Sequence, residues 1–389
     1  MSRLVYADNA ATTSVAPEVI EEMRPYFQTV WGNPSSLHQK GREAAKAIEN
    51  ARKRIAAILE CSANEIYFTA SGSEADNWAI KGTAYAKQSK GKHIITTKFE
   101  HHAVLHTMQA LEKEGFEVTY LDVDRSGMLA PDAVEAAIRE DTILVAVMHA
   151  NNEIGTILPV KEIAEAAHAH RVTVFTDAVQ AVGSIPVSVK DLGVDMLSFS
   201  GHKFHAPKGI GALYIKNGTR VKNLVDGGGQ ERSKRGGTEN VPYIMGMARA
   251  LELAADKLPD MHRVAELRDR LIDGIMQIPH TVLNGGRDNR LPGNVNVAFE
   301  YIEGESLLLL LDLAGICAST GSACSSNSLE PSHVLLSIGL PVERAHGSLR
   351  LSLSHENTQE DVDYILEKLP EIVAKLRRMS PLYEENMQA

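Results

Sequence analysis

Two residues carry the chemistry on which the rest of the sequence converges: an acid, Asp177, and a primary amine, Lys203. Each lies just beyond a short apolar run, residues 172–176 (VTVFT) and 195–199 (DMLSF), of the kind that forms a buried parallel strand opening into a loop. In open α/β sheets ligands bind outside the carboxyl ends of the strands, so both side chains could reach one bound molecule. An acid and a lysine so placed suit pyridoxal phosphate, in which the lysine holds the aldehyde as a Schiff base and the acid keeps the pyridine nitrogen protonated. A surface ion pair would use the same two residues. Their neighbours favour the cofactor: Gln180 one turn after the acid, Ser200, Gly201 and His202 directly before the lysine, and glycines at 209 and 211 after it.

A phosphate needs donors. Residues 66–69 (IYFT) read as a strand and 70–75 (ASGSEA) as a tight turn into a helix, which aims free backbone N–H groups and the positive helix end at an anion. No Walker lysine follows, so this is no P-loop, and an ordinary capped strand-to-helix turn would have the same composition. The three cysteines form no CxxC pair, and an odd count argues against a disulfide framework. Cys61 follows a helix and Cys317 lies within a strand run, both settings for inert thiols. Cys324 differs, because residues 318–331 (ASTGSACSSNSLEP) build neither core helix nor strand and leave it in a mobile loop with the exposure a reactive thiolate needs. In residues 348–354 (SLRLSLS) the alternation sets Arg350 opposite Leu349 and Leu351, where a guanidinium could grip the carboxylate of an amino-acid substrate in two hydrogen bonds.

The motifs TDAVQ (176–180) and SGHKFHAPKGIGALY (200–214) resemble the acid and lysine motifs of the NifS/IscS-type cysteine desulfurases, and further matches spread over nearly the whole chain. The resemblance implies an α/β architecture, the aspartate-aminotransferase-like fold type I of pyridoxal-phosphate enzymes, with a mostly parallel sheet in a large domain and a smaller α+β domain. It implies conversion of L-cysteine to L-alanine, with the sulfur captured as a persulfide on Cys324 and passed to an iron–sulfur scaffold or another acceptor, as in tRNA thiolation. Site roles come with it. Gly72 and Ser73 would hold the phosphate, completed by Ser200 and His202. His101, in the EH-x-AVL motif (100–105), would stack on the ring and handle protons; Asn152 would touch cofactor and substrate, Gln180 the ring oxygen, and Arg350 the substrate carboxylate. Thr238, in the glycine-rich segment 226–240 (DGGGQERSKRGGTEN), would reach the phosphate of the second subunit of a homodimer. No resident metal is implied, although Cys324 could transiently ligate an iron–sulfur cluster held by a partner.

The Cys324 segment resembles the longer loop of the NifS/IscS class rather than the shorter loop of the SufS class or of selenocysteine lyases. The chain departs from the commonest pattern at residues 354–358 (SHENT), where a Gly-Arg pair often appears. An aminotransferase of the same fold would need no such nucleophile as Cys324, and a non-catalytic docking platform would not need Asp177, Lys203 and Cys324 together.

At 389 residues the chain exceeds one ordinary core. We expect a large cofactor-binding domain at residues 16–259 and a small domain made of 1–15 and 260–389 that carries the cysteine loop. The composition, 44% hydrophobic and 23% charged, is that of a globular protein. A formal charge of −10 argues against direct DNA binding, which requires clustered cations. No apolar run approaches the ~18 residues of a membrane span and the start lacks a signal peptide's apolar segment, so cytoplasm is the expected location. Between Ile66 and Ile215 the pattern alternates strands with helices, as in a largely parallel sheet.

Overall fold

The apolar runs between Ile66 and Ile215 become a single seven-stranded sheet. The computed structural model describes residues 3–321, 331–381 and 383, and Cys324 lies outside them. The chain opens with β1 (Val5–Tyr6) and then supplies the large sheet: β2 (Ile66–Thr69), β3 (His93–Thr97), β4 (Glu117–Leu121), β5 (Thr142–Ala146), β6 (Thr173–Asp177), β7 (Met196–Ser200) and β8 (Gly211–Ile215). Their spatial order is β2-β8-β7-β6-β5-β3-β4, and β8 runs antiparallel to both neighbours while the other pairs are parallel. Strands β3, β5, β6, β7 and β8 are buried at every position, which is why they read as unbroken apolar runs and not as alternations.

Helices cover both faces, and their starts are set by side chains. Helix α1 (Pro17–Gln28) begins with a proline at its first position, where the missing N–H costs no hydrogen bond. Helix α2 (Gln39–Leu59) is capped by the His38 side chain, which accepts from Gly41 N–H. Helix α3 (Gly72–Lys87) starts directly after β2, its cap Ser71 accepting from Glu74 N–H. Helix α4 (His102–Lys113) starts after β3 and is capped by His101.

A second core is built by the start of the chain and parts of its last third. Strands β9 (Thr281–Leu283), β10 (Asn294–Phe299) and β12 (Ser348–Ser352) make an antiparallel sheet in the order β12-β10-β9, and β11 (Ile316–Cys317) pairs parallel with β1. Val5 and Ala7 from the start of the chain pack here with Leu271, Val297, Leu349 and Ile365. The long helical pattern after residue 241 is broken at Pro259, as its sequence suggests, into Val241–Lys257 and Met261–Ile275 with a 3-10 turn between. The closing amphipathic helix runs over Gln359–Met379, its start fixed by a capping box between Thr358 and Asp361. Among the described residues no helix is long and apolar enough to cross a membrane.

Candidate active site

At the carboxyl ends of β6 and β7 lies a cavity of about 450 Å³. Gly72, Ser73, His101, Asn152, Asp177, Gln180, Ser200, His202, Lys203 and Arg350 all line it. Thr238 does not; it is exposed on the segment that follows β8. The strand register explains the gathering. Asp177 pairs with Ser198 across β6 and β7, and Ser200 with Gly211 across β7 and β8, so the acid and the serine end adjacent strands on the same edge. Lys203 closes the 3-10 turn Gly201–Lys203 that follows β7 directly.

The lysine is held by the start of the chain. Its Nζ donates to the carbonyls of Ala10 at 2.6 Å and Ala11 at 2.9 Å, and Gln180 Nε2 donates to the Ala10 carbonyl at 3.0 Å. Residues 10–12 thus form one wall of the cavity, and His202 Nδ1 lies 3.1 Å from Thr12 Oγ1. Burial and the neighbouring lysine charges lower His202 to about 4, leaving it neutral at pH 7.

Two buried acids, Asp177 and Asp76, line the cavity, and a third, Glu100, is buried close enough to feel the charge of Asp177. Asp177 is 5% exposed and its Oδ1 accepts from Val179 N–H at 2.9 Å. Burial pushes it up to about 6, against the opposing pull of that N–H and of Lys203. Asp76, one turn into α3, accepts from Ser198 Oγ at 2.5 Å, and burial, then the charge of Asp177, raises it well above the carboxylate range. Glu100 is also buried; its Oε1 accepts from Thr97 Oγ1 and Met148 N–H, and burial pushes it up to about 8. Ligand-type atoms of Asp76, Asp177 and His101 lie within 4.8 Å of one another.

His101 caps α4 with its own ring, Nδ1 accepting from Ala103 N–H at 3.1 Å, so the neutral ring carries its proton on Nε2. Burial first, and Lys203 second, lower its pKa to about 4. It is therefore a flat neutral ring with one N–H donor at pH 7.

On the opposite side, the first turn of α3 provides the anion cradle. A Cβ on Gly72 would come within 2.8 Å of Val179 Cγ2 and 3.3 Å of Ser200 Cβ, so only glycine lets this helix start close onto the ends of β6 and β7. The same closeness is met from below, where a Cβ on Gly211 would lie 2.5 Å from the Ser71 carbonyl carbon. The substrate side is built from Arg350, 1% exposed, whose Nη1 donates to the Asn152 carbonyl at 3.0 Å and whose Nη2 meets Asp8 Oδ1 at 3.1 Å. Arg350 Nε and Asn152 Oδ1 are both buried without a partner among the described residues, a donor and an acceptor left for a bound molecule.

These walls fit pyridoxal phosphate. A buried acid that could pair with a protonated ring nitrogen, a helix start with a serine and a glycine that could hold a phosphate, and a primary amine all line the one cavity. Sequence reasoning missed Asp8 and Asp76. For Asp76 a signal existed, since it lies three and four residues after Ser73 and Gly72 and so shares their helix face. For Asp8 there was none beyond the polar stretch 6–13, because its partner Arg350 comes from the far end of the chain.

A sheet of this order with an acid and a lysine at adjoining strand ends defines a pyridoxal-phosphate-dependent enzyme of fold type I. The family model for aminotransferase class-V matches residues 5–365. The chain is 58% identical over 382 residues to the cysteine desulfurase IscS of Methanosarcina thermophila, covering 98% of this chain and 95% of that one. It is 57% identical over 392 residues to the cysteine desulfurase IscS of Clostridium botulinum, covering 100% and 99%. Among solved structures, a NifS-like protein superposes with a TM-score of 0.91 at 41% identity, covering 96% of this chain and all of that one. SspA in complex with cysteine does so at 0.80 and 38%, covering 90% and 98%. The chain belongs to the class-V aminotransferases and, within them, to the cysteine desulfurases of the NifS/IscS type.

Proposed function

We infer that this protein removes sulfur from L-cysteine and releases L-alanine, with Cys324 as the sulfur acceptor. The observation that carries the reading is the convergence of Lys203, Asp177 and Arg350 on one cavity. Pyridoxal phosphate, when bound, supplies an electron sink for the substrate's Cα–H bond. The residues do the rest. Asp177 would hold a proton on the ring nitrogen by its negative charge, and the first turn of α3, with Ser200 and His202, would bind the phosphate. His101 would offer its flat neutral ring and its Nε2–H to the bound group. Lys203 Nζ would hold the cofactor and act as the base that carries the Cα proton. Arg350 orients the substrate carboxylate by Nε and one Nη, with Asn152 Oδ1 beside it. Cys324 Sγ, as thiolate, attacks the substrate sulfur; the new S–S bond forms as the C–S bond breaks, and the electron pair leaves with the carbon.

We also propose a homodimer. Thr238 is exposed and outside its own cavity, as a residue serving a second subunit would be, and Phe27, Trp31 and Leu37 expose apolar side chains in and after α1. The domain division at residues 15/16 and 259/260, a cytoplasmic location, and a protein acceptor such as an iron–sulfur scaffold or a tRNA-thiolating enzyme complete the reading. Incubation of the purified protein with L-cysteine and a thiol reductant tests it: alanine and sulfide should appear in equal amounts, and no alanine from protein that carries its cofactor would end the assignment. Sedimentation at micromolar concentration should give twice the chain mass.

A further inference from the structure

A second cavity, of about 370 Å³, is lined by Lys203 and by residues of both cores, Ala250 and Leu291 from the first and Leu353 from the second. His205, His355 and Glu356 meet at its wall, and one ligand-type atom from each lies within 4.8 Å of the other two. They come from opposite cores. His205 stands two residues after the catalytic lysine, and His355 and Glu356 stand three and four residues after the end of β12, the strand of Arg350.

We propose that His205, His355 and Glu356 form a binding site for a first-row divalent transition-metal ion, Zn²⁺ by its ligand set, that clamps the Lys203 turn to the end of β12. Two imidazoles and a carboxylate are the three-protein-ligand set that leaves one position of a tetrahedral Zn²⁺ for water. At Zn–N and Zn–O lengths near 2.1 Å, ligand atoms stand roughly 3.3 Å apart. The three must therefore close by at most ~1.5 Å, a movement within the range of Glu356, whose side chain is 54% exposed.

The turns that carry the ligands are already held. His205, at φ 66, donates its N–H to Thr13 Oγ1 at 2.8 Å and accepts through its carbonyl from Ala16 N–H. Its Nδ1 is the nitrogen that meets Glu356, 4.0 Å from Oε1, and it also lies 3.1 Å from the Ser14 carbonyl, so a metal bound between the imidazole and Glu356 takes the place of that contact. On the other turn, Asn357 Oδ1 accepts from Ser354 N–H at 2.8 Å, and Arg263 Nη2 donates to the His355 carbonyl at 2.7 Å.

One cation already competes. Lys257 Nζ lies 2.6 Å from His355 Nε2, and a bound metal displaces it. This gives the proposal a signature that histidines packed for structure alone lack: removing the lysine charge strengthens the site.

The test is Zn²⁺ titration of the holoenzyme by calorimetry, with thermal melting alongside. All proteins carry Cys324→Ser, so that no reactive thiolate contributes. The background protein should bind one Zn²⁺ per protomer that is lost, or weakened at least about tenfold, in His355→Ala and in Glu356→Gln. Lys257→Met should bind it more tightly, and His106→Ala, in the separate histidine cluster on α4, should bind it unchanged. Zn²⁺ should raise the Tm of the background protein and not of Glu356→Gln, an exposed substitution that leaves the fold in place. Equal stoichiometry and affinity in the background, His355→Ala and Glu356→Gln proteins would overturn the proposal, as would a folded background protein that binds no Zn²⁺ at micromolar concentration.

Discussion

Ser319 and Arg350 exchange both of their main-chain hydrogen bonds, Ser319 N–H donating to the Arg350 carbonyl at 3.1 Å and Arg350 N–H to the Ser319 carbonyl at 2.6 Å. The arginine proposed to hold the substrate is thereby fixed to the start of the segment that contains Cys324. Cys324 follows Ser319 by five residues, a tether of at most about 17 Å. The far end is tied too, because Ser332 Oγ donates to the buried Glu153 Oε2 at 2.5 Å. The arginine proposed to hold the substrate and the two described flanks of the segment that contains Cys324 thus share one frame.

Removing the amine should separate folding from chemistry. Lys203→Ala leaves the sheet and the turn Gly201–Lys203 intact but deletes the group that links to the cofactor and carries the proton. Desulfurase turnover should fall by at least about 100-fold, with the far-ultraviolet circular dichroism unchanged and the cofactor's visible absorbance shifted to that of unlinked pyridoxal phosphate. Wild-type turnover in this variant would remove Lys203 from the mechanism.

For Arg350→Ala the loss is an oriented, charge-assisted hydrogen-bond pair, on the order of 2–3 kcal/mol, or roughly 30–160-fold in kcat/KM. Most of it should appear in KM for L-cysteine. Arg350→Lys should not restore it, since an ammonium cannot reproduce the planar fork that now spans Asp8 and the Asn152 carbonyl. Steady-state kinetics of the two variants decide the point; unchanged values would place the substrate carboxylate elsewhere.

The cysteines should divide cleanly. Burial pushes Cys61 up to about 12 and raises Cys317 from its usual range, so both remain protonated thiols at neutral pH. Cys61→Ala and Cys317→Ala should keep activity. Cys324→Ala should bind cofactor and L-cysteine yet neither gain the mass of one sulfur nor release alanine at the normal rate. Mass spectrometry beside alanine release checks all three, and a sulfur adduct found on Cys317 instead would relocate the nucleophile.

Asp177 makes opposite predictions for the cofactor-free and cofactor-loaded protein. Its folded value, about 6, lies above the reference 3.8 despite the pull of Lys203, so ionising it opposes folding when no cofactor is bound. That penalty is absent below pH 3.8, grows up to about 6 and is constant above. Asp177→Asn should therefore stabilise the cofactor-free protein at pH 8, by on the order of 1–3 kcal/mol, and change little at pH 4. With pyridoxal phosphate bound the sign reverses, because the protonated ring nitrogen loses its counter-charge. Melting curves at both pH values, with and without cofactor, test this; destabilisation of the cofactor-free variant at pH 8 would contradict the burial argument.

Much of the site was legible because its residues occupy places that local sequence marks. Asp177, Ser200 and Lys203 end apolar runs, and Gly72 and Ser73 open a helix. The gathering of these residues at one cavity therefore follows from strand ends and one helix start. What escaped is what tertiary pairing creates. Strand β8 looks in sequence like its parallel neighbours, and only its hydrogen bonds to β2 and β7 reveal its reversed direction. Strand β9 has three residues, too few for any alternation to register. His205 and His355 lie 150 residues apart and carry no shared motif, and Asp76 hides inside a helix whose spacing was read only for its first turn. Cys324 was legible as chemistry, from the small polar residues around it, while its setting lies outside the described residues.

Asp8 and Arg350 are separated by 342 residues and meet across one hydrogen bond. A ribosome emits Asp8 long before Arg350. The strands of the large sheet are all made once Ile215 has emerged, and with them Asp177, Lys203 and the first turn of α3. The carbonyls of residues 10 and 11 that hold the lysine are made before it. Arg350 follows much later, and β1 has no strand partner until β11 arrives. The acid and the lysine can thus be in place before the guanidinium proposed to hold the substrate exists.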